Sequence, residues 1–143
     1  MMNTNLAELE YTNFVSEYLG YVQQSIVASS NIVEHIEEII NRNLFVNDNY
    51  NADLDHISTC MVHLLDKAAK SNISNKRGMH IHNSMQKWRL YTMSWIDSTE
   101  EFLEFLDRFR ISADKKECIK VLKTGLSKYQ SDVIELINEV KDT

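Results

Sequence analysis

Residues 81–109 read IHNSMQKWRLYTMSWIDSTEEFLEFLDRF, and this stretch is the strongest indication of the fold. Its apolar and small residues recur in steps that alternate between four and three: Ile81, Met85, Trp88, Thr92, Trp95, Thr99, Phe102, Leu106 and Phe109. Such a set forms one stripe along a helix that packs lengthwise on others. Asp97-Ser98 could cap a separate helix, but the stripe crosses this point unbroken. We therefore predict one helix from Met79 to about Arg110.

The same alternation occurs near both ends of the chain. In the first segment the stripe comprises Val15, Leu19, Val22, Ile26, Ser29, Val33, Ile36 and Ile40, and in the last it comprises Ile119, Leu122, Leu126, Tyr129, Val133, Leu136 and Val140. Asn5 with Glu8 is similar to a capping box, which predicts a helix from about Leu6 to Arg42. Ser29-Ser30-Asn31 could break this helix. Ser112 is the predicted N-cap of the last helix.

A shorter helix is predicted from about Asp53 to Lys70, between an Asn-rich loop at 43–51 and a turn at 71–75. The chain has no proline and only three glycines, a composition that favours long helices. We expect an all-α fold, an up-and-down antiparallel bundle of four helices, three long and one short, or five if a long helix is broken. At 143 residues the chain is expected to form a single domain over 1–143.

The composition, 43% hydrophobic and 25% charged, is that of an ordered globular protein. No apolar run reaches the roughly 18 residues that span a bilayer, so we expect no membrane association. The first eleven residues contain two acids and no Lys or Arg, unlike a secretory signal, and a cytoplasmic location is therefore expected. Cys60 and Cys118 lie in helical patterns without a CxxC motif, which predicts two buried thiols.

Charge is distributed unevenly along the chain. Through Asp66 there are ten acidic residues and one basic residue, whereas the remainder has fourteen basic and eleven acidic residues. Two candidate sites follow: an acidic partner face at Glu34, Glu37 and Glu38, and an anion or partner contact within an acid-free stretch, at Lys70, Lys76, Arg77, Lys87 and Arg89. The alternative is a surface whose opposite charges compensate one another within the chain.

The histidines do not form a metal-ligand pattern. His80 and His82 diverge by about 200° on a helix, and His56 and His63 lie about 10 Å apart along one. His63 is predicted to face outward as a surface histidine. We therefore expect no metal and no cofactor.

Residues 77–82, RGMHIH, fit the short signature R-x4-H. In this hexamer and in its expected helical fold, the chain resembles the HEPN family of helical-bundle ribonucleases. The resemblance implies that Arg77 neutralises the scissile phosphate and that His82 acts on the 2′-hydroxyl or the leaving group, usually across a dimer interface. A ribonuclease or nucleic-acid-binding bundle is therefore one hypothesis for the function.

The predicted long helix is apolar on more than one side. Its tryptophans and phenylalanines fall on the stripe and are expected in the core, whereas Met79, Leu90 and Met93 fall off it. The helix is therefore central in the bundle, or it offers a second surface to a partner or to a second copy. The leading hypothesis is that the chain is an inhibitor, immunity factor or regulatory adaptor, and not an enzyme, that binds another protein stoichiometrically. A basic protein and a second copy of the chain are the alternatives for this partner.

Overall fold

The computed structural model describes residues 2–43, 76–109 and 114–141, together with positions 56, 59, 60, 62, 63 and 66. Side chains are described from residue 11 in the first range and from residue 81 in the second. The three ranges hold helices α1 (Met2–Arg42), α2 (Lys76–Phe109) and α3 (Lys115–Lys141). The six isolated positions are helical as well, and no strand occurs among the described residues. The prediction of an all-α fold is confirmed.

Helices α1 and α2 are both continuous at the points where the sequence would have allowed a break. α1 has 41 residues and passes through Ser29-Ser30-Asn31, and α2 has 34 residues and passes through Asp97-Ser98. The Ser25 and Ser29 hydroxyls donate to the carbonyls of Val22 and Ile26, at 2.6 and 2.7 Å, so both are satisfied within the helix. α1 begins at Met2, ahead of the predicted cap at Asn5.

Six positions of the predicted short helix are described, and two of them contact α1. His56 Nε2 lies 3.4 Å from Gln24 Oε1, and His63 Nε2 lies 3.5 Å from Glu17 Oε1. These contacts place the described part of this segment along the N-terminal half of α1. Of the predicted loop at 43–51 the structure describes Asn43 alone, and the predicted turn at 71–75 lies outside the described residues.

The predicted stripe of α2 forms much of the core. Seven of its nine members are buried: Ile81, Met85, Trp88, Thr92, Trp95, Thr99 and Leu106. Phe102 is only partly buried and Phe109 is 48% exposed, while Ile96 and Leu103 are buried beside the stripe. The α-helical turn of about 3.6 residues drifts from a strict 3.5-residue repeat, and this drift carries the buried side past the predicted positions.

The stripes of the other helices are confirmed in part. In α1, Val15, Leu19 and Ile26 are partly buried, whereas Phe14 and Tyr18 are fully buried. In α3 the predicted stripe is buried at five positions, Leu122, Tyr129, Val133, Leu136 and Val140, and Cys118 and Ile137 join it. In α1 the aromatic rings of Phe14 and Tyr18 thus occupy core positions next to the smaller Val15 and Leu19 that were predicted there.

The start of α3 differs from the prediction. The carboxylate Oδ1 of Asp114 accepts hydrogen bonds from the backbone N–H groups of Lys116 and Glu117, at 2.9 and 3.2 Å. Asp114 is therefore the N-cap, not Ser112, because its oxygen satisfies two of the donors that the first helical turn leaves free.

Buried hydroxyl groups connect the three helices. The Tyr18 and Ser84 hydroxyl oxygens lie 2.8 Å apart, and those of Thr92 and Tyr129 lie 2.9 Å apart. The indole N–H of Trp88 donates to Ser25 Oγ at 3.3 Å. Each of these buried hydroxyl and indole groups thus has a partner on another helix, which fixes how the helices fit together.

α3 packs against both α1 and α2, and α1 and α2 contact each other over a smaller area. Gln130 on α3 donates to the Ile26 carbonyl at 3.1 Å and to Ser30 Oγ at 2.7 Å on α1. None of the helices that the structure describes has an apolar stretch sufficient to cross a membrane.

Candidate functional site

A surface groove lies between α2 and α3, with a volume of about 270 Å³. Its lining comes from one side of each helix: Tyr91, Ser94, Trp95 and Ser98 of α2, and Gly125, Lys128, Tyr129 and Asp132 of α3. Trp95 and Tyr129 are 7% and 3% exposed, so their rings form the floor. The two rings are stacked, with centroids 5.0 Å apart and planes inclined by 16°.

Small residues keep the groove open. Ser94 and Ser98 are one helical turn apart on α2, and Gly125 faces the groove from α3. A Cβ atom added at Gly125 would meet nothing within 4 Å. The space is therefore available to a group from outside the chain.

The rim of the groove is polar and without net charge. Lys128 Nζ lies 3.6 Å from Asp132 Oδ2, and the serine hydroxyls of α2 stand opposite. An aromatic floor beneath a rim of hydroxyls and paired charges suits an apolar or aromatic side chain that carries one polar group.

Exposed apolar residues extend the groove toward the C-terminal end of α2. Tyr91, Ser98 and Phe105 are spaced by seven residues, about two turns, so they lie along one side of the helix. Phe105 and Phe109 are 44% and 48% exposed, and their ring centroids lie 5.1 Å apart. Exposed aromatic residues beside a groove are typical of protein-binding surfaces.

The predicted acidic face is partly compensated within the chain. Glu37 Oε1 lies 3.2 Å from Lys123 Nζ on α3, and Glu38 Oε1 lies 2.7 Å from Arg42 on the next turn of α1. Glu34 is exposed. Two of the three carboxylates therefore already have basic neighbours, which agrees with the alternative of internal compensation.

The predicted basic contact is not gathered on one surface by its described members. Lys87 Nζ lies 3.8 Å from Glu139 of α3. Arg89 is exposed and lies about 200° from Lys87 around the helix axis. Lys70 lies outside the described residues, and of Lys76 and Arg77 the structure describes the backbone alone, in the first turn of α2.

Arg77 and His82 belong to one continuous helix. Five residues along an α-helix amount to about 140° of rotation, so α2 by itself does not bring these two positions to one side. His82 is exposed. Catalysis by both groups would require a second element or a second copy to complete the site.

Within the described part of the chain, no three His, Cys, Asp or Glu residues are grouped so that they could hold a metal ion. His63 is 57% exposed, with Glu17 at 3.5 Å and the edge of the Tyr21 ring against it. The outward orientation predicted for His63 therefore agrees with the structure, although the histidine also contacts α1.

The two cysteines are free thiols in different environments. Cys118 is buried as predicted, whereas Cys60 is only partly buried and lies one turn from the exposed His56, whose Nε2 is 3.8 Å from its sulfur. Burial raises the pKa of both thiols, and Asp114 and Glu117 raise that of Cys118 further. Raised pKa values reduce the fraction of reactive thiolate.

Comparison of the chain with protein-family models, with curated proteins and with solved structures finds no match. The candidate site therefore rests on the geometry of the described residues.

Sequence reasoning missed the groove. Ser94, Ser98 and Gly125 stand off the predicted stripes, and their side chains have no catalytic or ligand pattern. The available signal was their size: a pair of serines spaced by four residues and a glycine inside a helical pattern mark places where a helix surface lacks bulk. Which two surfaces would face each other depended on the packing of α2 against α3.

Proposed function

We propose that this protein binds another protein stoichiometrically, as an inhibitor, immunity factor or regulatory adaptor. The groove between α2 and α3 carries the proposal, because it offers an apolar floor at Trp95 and Tyr129 with open space at Gly125. An apolar side chain of the partner enters the groove, and the exposed Phe105 and Phe109 extend the contact. Aromatic anchors of this kind supply most of the binding energy at protein interfaces.

The proposed partner is basic near its apolar anchor. From Asp97 to Asp107, α2 has five acidic residues and no basic one, and the whole chain has a net charge of -6. Asp97 and Glu101 are exposed next to the groove residue Ser98. Opposite charge around an apolar contact accelerates association and makes it sensitive to salt.

We further propose that residues 1–143 form one cytoplasmic domain, an up-and-down antiparallel bundle of four helices. Three sets of contacts support this arrangement. Along α1, residues 26 and 37 meet residues 130 and 123 of α3, and residues 17 and 24 meet residues 63 and 56 of the short segment. Along α2, residues 87 and 92 meet residues 139 and 129 of α3. In each set the residue numbers rise along one helix as they fall along the other, as expected for two antiparallel helices.

Site-specific photocrosslinking in the native cells tests the proposal. A photoreactive residue at Ser98 should form an adduct with one protein, whereas the same residue at Val27, which is 61% exposed on α1, should not. Gly125→Trp fills the groove and should abolish the adduct. Gly20→Trp is the matched control, because Gly20 is also helical and also has open space at its Cβ position.

The adduct should contain one copy of each protein and weaken as salt rises. Equal adducts at Ser98 and Val27, or an adduct that survives Gly125→Trp, would contradict the proposal. RNA cleavage by the wild type that is lost in His82→Ala would instead favour the ribonuclease hypothesis, in which Arg77 and His82 act together.

A further inference from the structure

The charges of α2 are divided into two blocks. From Lys76 to Arg89 the helix has four basic residues and no acidic one, and from Asp97 to Asp107 it has five acidic residues and no basic one. The seven residues between the blocks, 90–96, are uncharged. The helix is therefore basic at one end, neutral in the middle and acidic at the other end.

The neutral middle exposes two large apolar side chains to solvent. Leu90 is 66% exposed and Met93 is 43% exposed. Residues 86, 90, 93, 97 and 100 continue the alternation of four and three, so they form a second stripe on the side of α2 away from its buried stripe. This outer stripe consists of Gln86, Leu90, Met93, Asp97 and Glu100, and Arg89 flanks it one turn before Met93.

Charged residues along the outer stripe have no partner within the described part of the chain. Arg89, Asp97 and Glu100 are exposed, and none of them forms an ion pair or a hydrogen bond there. By contrast, Glu37 and Lys87 form ion pairs with α3. Arg89 and the two acids of the outer stripe therefore present unpaired charges of both signs on either side of an apolar centre.

We infer that the outer stripe of α2 binds the outer stripe of a second copy of this chain, with the two helices antiparallel. With Met93 near the two-fold axis, Arg89 of one copy lies level with Asp97 of the other, because each is four residues, or about 6 Å, from Met93. Glu100 lies about one turn beyond Asp97 on the same helix. The two-fold symmetry repeats this contact, so each dimer has two such charge pairs around the Leu90 and Met93 side chains.

A parallel pairing would place like charges opposite one another, so the charge blocks select the antiparallel arrangement. A second copy also matches the stripe better than a uniformly basic protein, since Arg89 needs an acidic neighbour while Asp97 and Glu100 need basic ones. Stable dimers bury about 1,200 Å² or more. Two apolar residues per copy supply only part of that area, and the dimer is therefore weak and dependent on salt.

Paired charge reversals test this inference by sedimentation velocity. The wild type should shift from monomer toward dimer as its concentration rises, and should return to monomer in about 1 M salt, where charges are screened beyond about 3 Å. Arg89→Glu should raise the dissociation constant about tenfold, since it places like charges at two symmetric contacts. Asp97→Arg with Glu100→Arg should have the same effect.

An equimolar mixture of the two variants should dimerise again. In the mixture, Glu at position 89 of one chain faces Arg at positions 97 and 100 of the other, and the second contact keeps the natural Arg89 against the natural acids. Lys120→Glu, a reversal at an exposed position of α3, is the matched control and should leave the dissociation constant unchanged.

A wild type that stays monomeric throughout, or a dimer that neither reversal weakens, would overturn the inference, as would variants that fail to dimerise when mixed. Circular dichroism of each variant establishes that it is folded. The test is independent of the proposed function, because the groove variant Gly125→Trp should still dimerise.

Discussion

At the scale of single residues, the core combines large aromatic rings with hydroxyl groups. Tyr18 is fully buried, packs its ring edge-on against Trp88 and shares a hydrogen bond with Ser84. An unpaired buried hydroxyl would destabilise the fold by about 1–3 kcal/mol, so these pairs restrict the helices to one arrangement. The polar residues at Ser25, Ser84 and Thr92 therefore specify the packing that the apolar stripes drive.

The pH dependence of stability tests the burial of Tyr18. Burial raises its pKa from 10.0 to about 12, a shift that Glu139 increases and the hydrogen bond with Ser84 opposes. The neutral phenol is thus favoured in the folded state. Its contribution is complete below about pH 10 and is lost between about pH 10 and pH 12, because the unfolded chain loses the proton first. Urea unfolding should show the free energy of unfolding falling by about 1 kcal/mol per pH unit in this range.

Tyr18→Phe should reduce this alkaline slope. Burial also raises the pKa of Tyr129, so part of the slope should remain and should be lost in Tyr18→Phe with Tyr129→Phe. Equal slopes for the wild type and both variants would mean that neither phenol is buried as described.

At the scale of the helix, ends and continuity depend on local hydrogen bonds. The Asp114 carboxylate starts α3 by accepting two backbone N–H groups, and α1 ends at Arg42, after which Asn43 has a positive φ of 52°. Asn is among the few residues that adopt this left-handed conformation readily, and it is a common helix terminator. The C-terminal end of α1 was therefore predictable, whereas α3 was predicted to start from Ser112, two residues before the observed cap at Asp114.

Removing the cap tests whether the observed Asp114 or the predicted Ser112 starts α3. Asp114→Ala should lower the free energy of unfolding by about 1 kcal/mol, since two N–H groups lose their acceptor. Asp114→Asn should retain most of the stability because the amide oxygen can still accept. Ser112→Ala is the comparison, and its effect in urea unfolding should be the smaller one. A larger loss of unfolding free energy in Ser112→Ala than in Asp114→Ala would mean that Ser112, the predicted cap, starts α3.

At the scale of the whole molecule, the acidic N-terminal half and the more basic remainder of the chain are brought together. Glu37 on α1 meets Lys123 on α3, and Lys87 on α2 meets Glu139 on α3. Part of the charge asymmetry is therefore compensated between helices. Among the described residues, Asp97 and Glu100 of the outer stripe of α2 stay unpaired, and these charges are available to partners.

A double reversal tests the compensation between α1 and α3. Glu37→Lys and Lys123→Glu should each lower the free energy of unfolding by up to about 1 kcal/mol, because each places like charges together at a partly exposed contact. The double variant should recover most of the loss, a coupling that urea unfolding at low salt can measure. Glu34→Lys, at an exposed position, should have little effect. If the loss of unfolding free energy in the double variant equals the sum of the two single losses, the two side chains do not interact.

The candidate site was less predictable than the fold. Helix class, helix length and most buried positions follow from the repeated apolar spacing, because that spacing indicates which side of a helix is buried when the chain folds. The acidic face at Glu34, Glu37 and Glu38 was identified from charge alone, and charge along the chain does not reveal which carboxylates a neighbouring helix neutralises. The groove at Ser94, Ser98 and Gly125 could not be predicted, because it forms where small side chains on two different helices leave space between them.

By itself, the amino-acid sequence determined that the chain is helical, where its long helices run and how its charges are ordered along α2. These properties are local, since they depend on residues within a few turns of one another. Only the tertiary structure decided that Trp95 stacks on Tyr129 beneath an open groove, and that Lys123 reaches Glu37. Such contacts join residues far apart in the chain, and they arise only when helices pack at one particular rotation and depth.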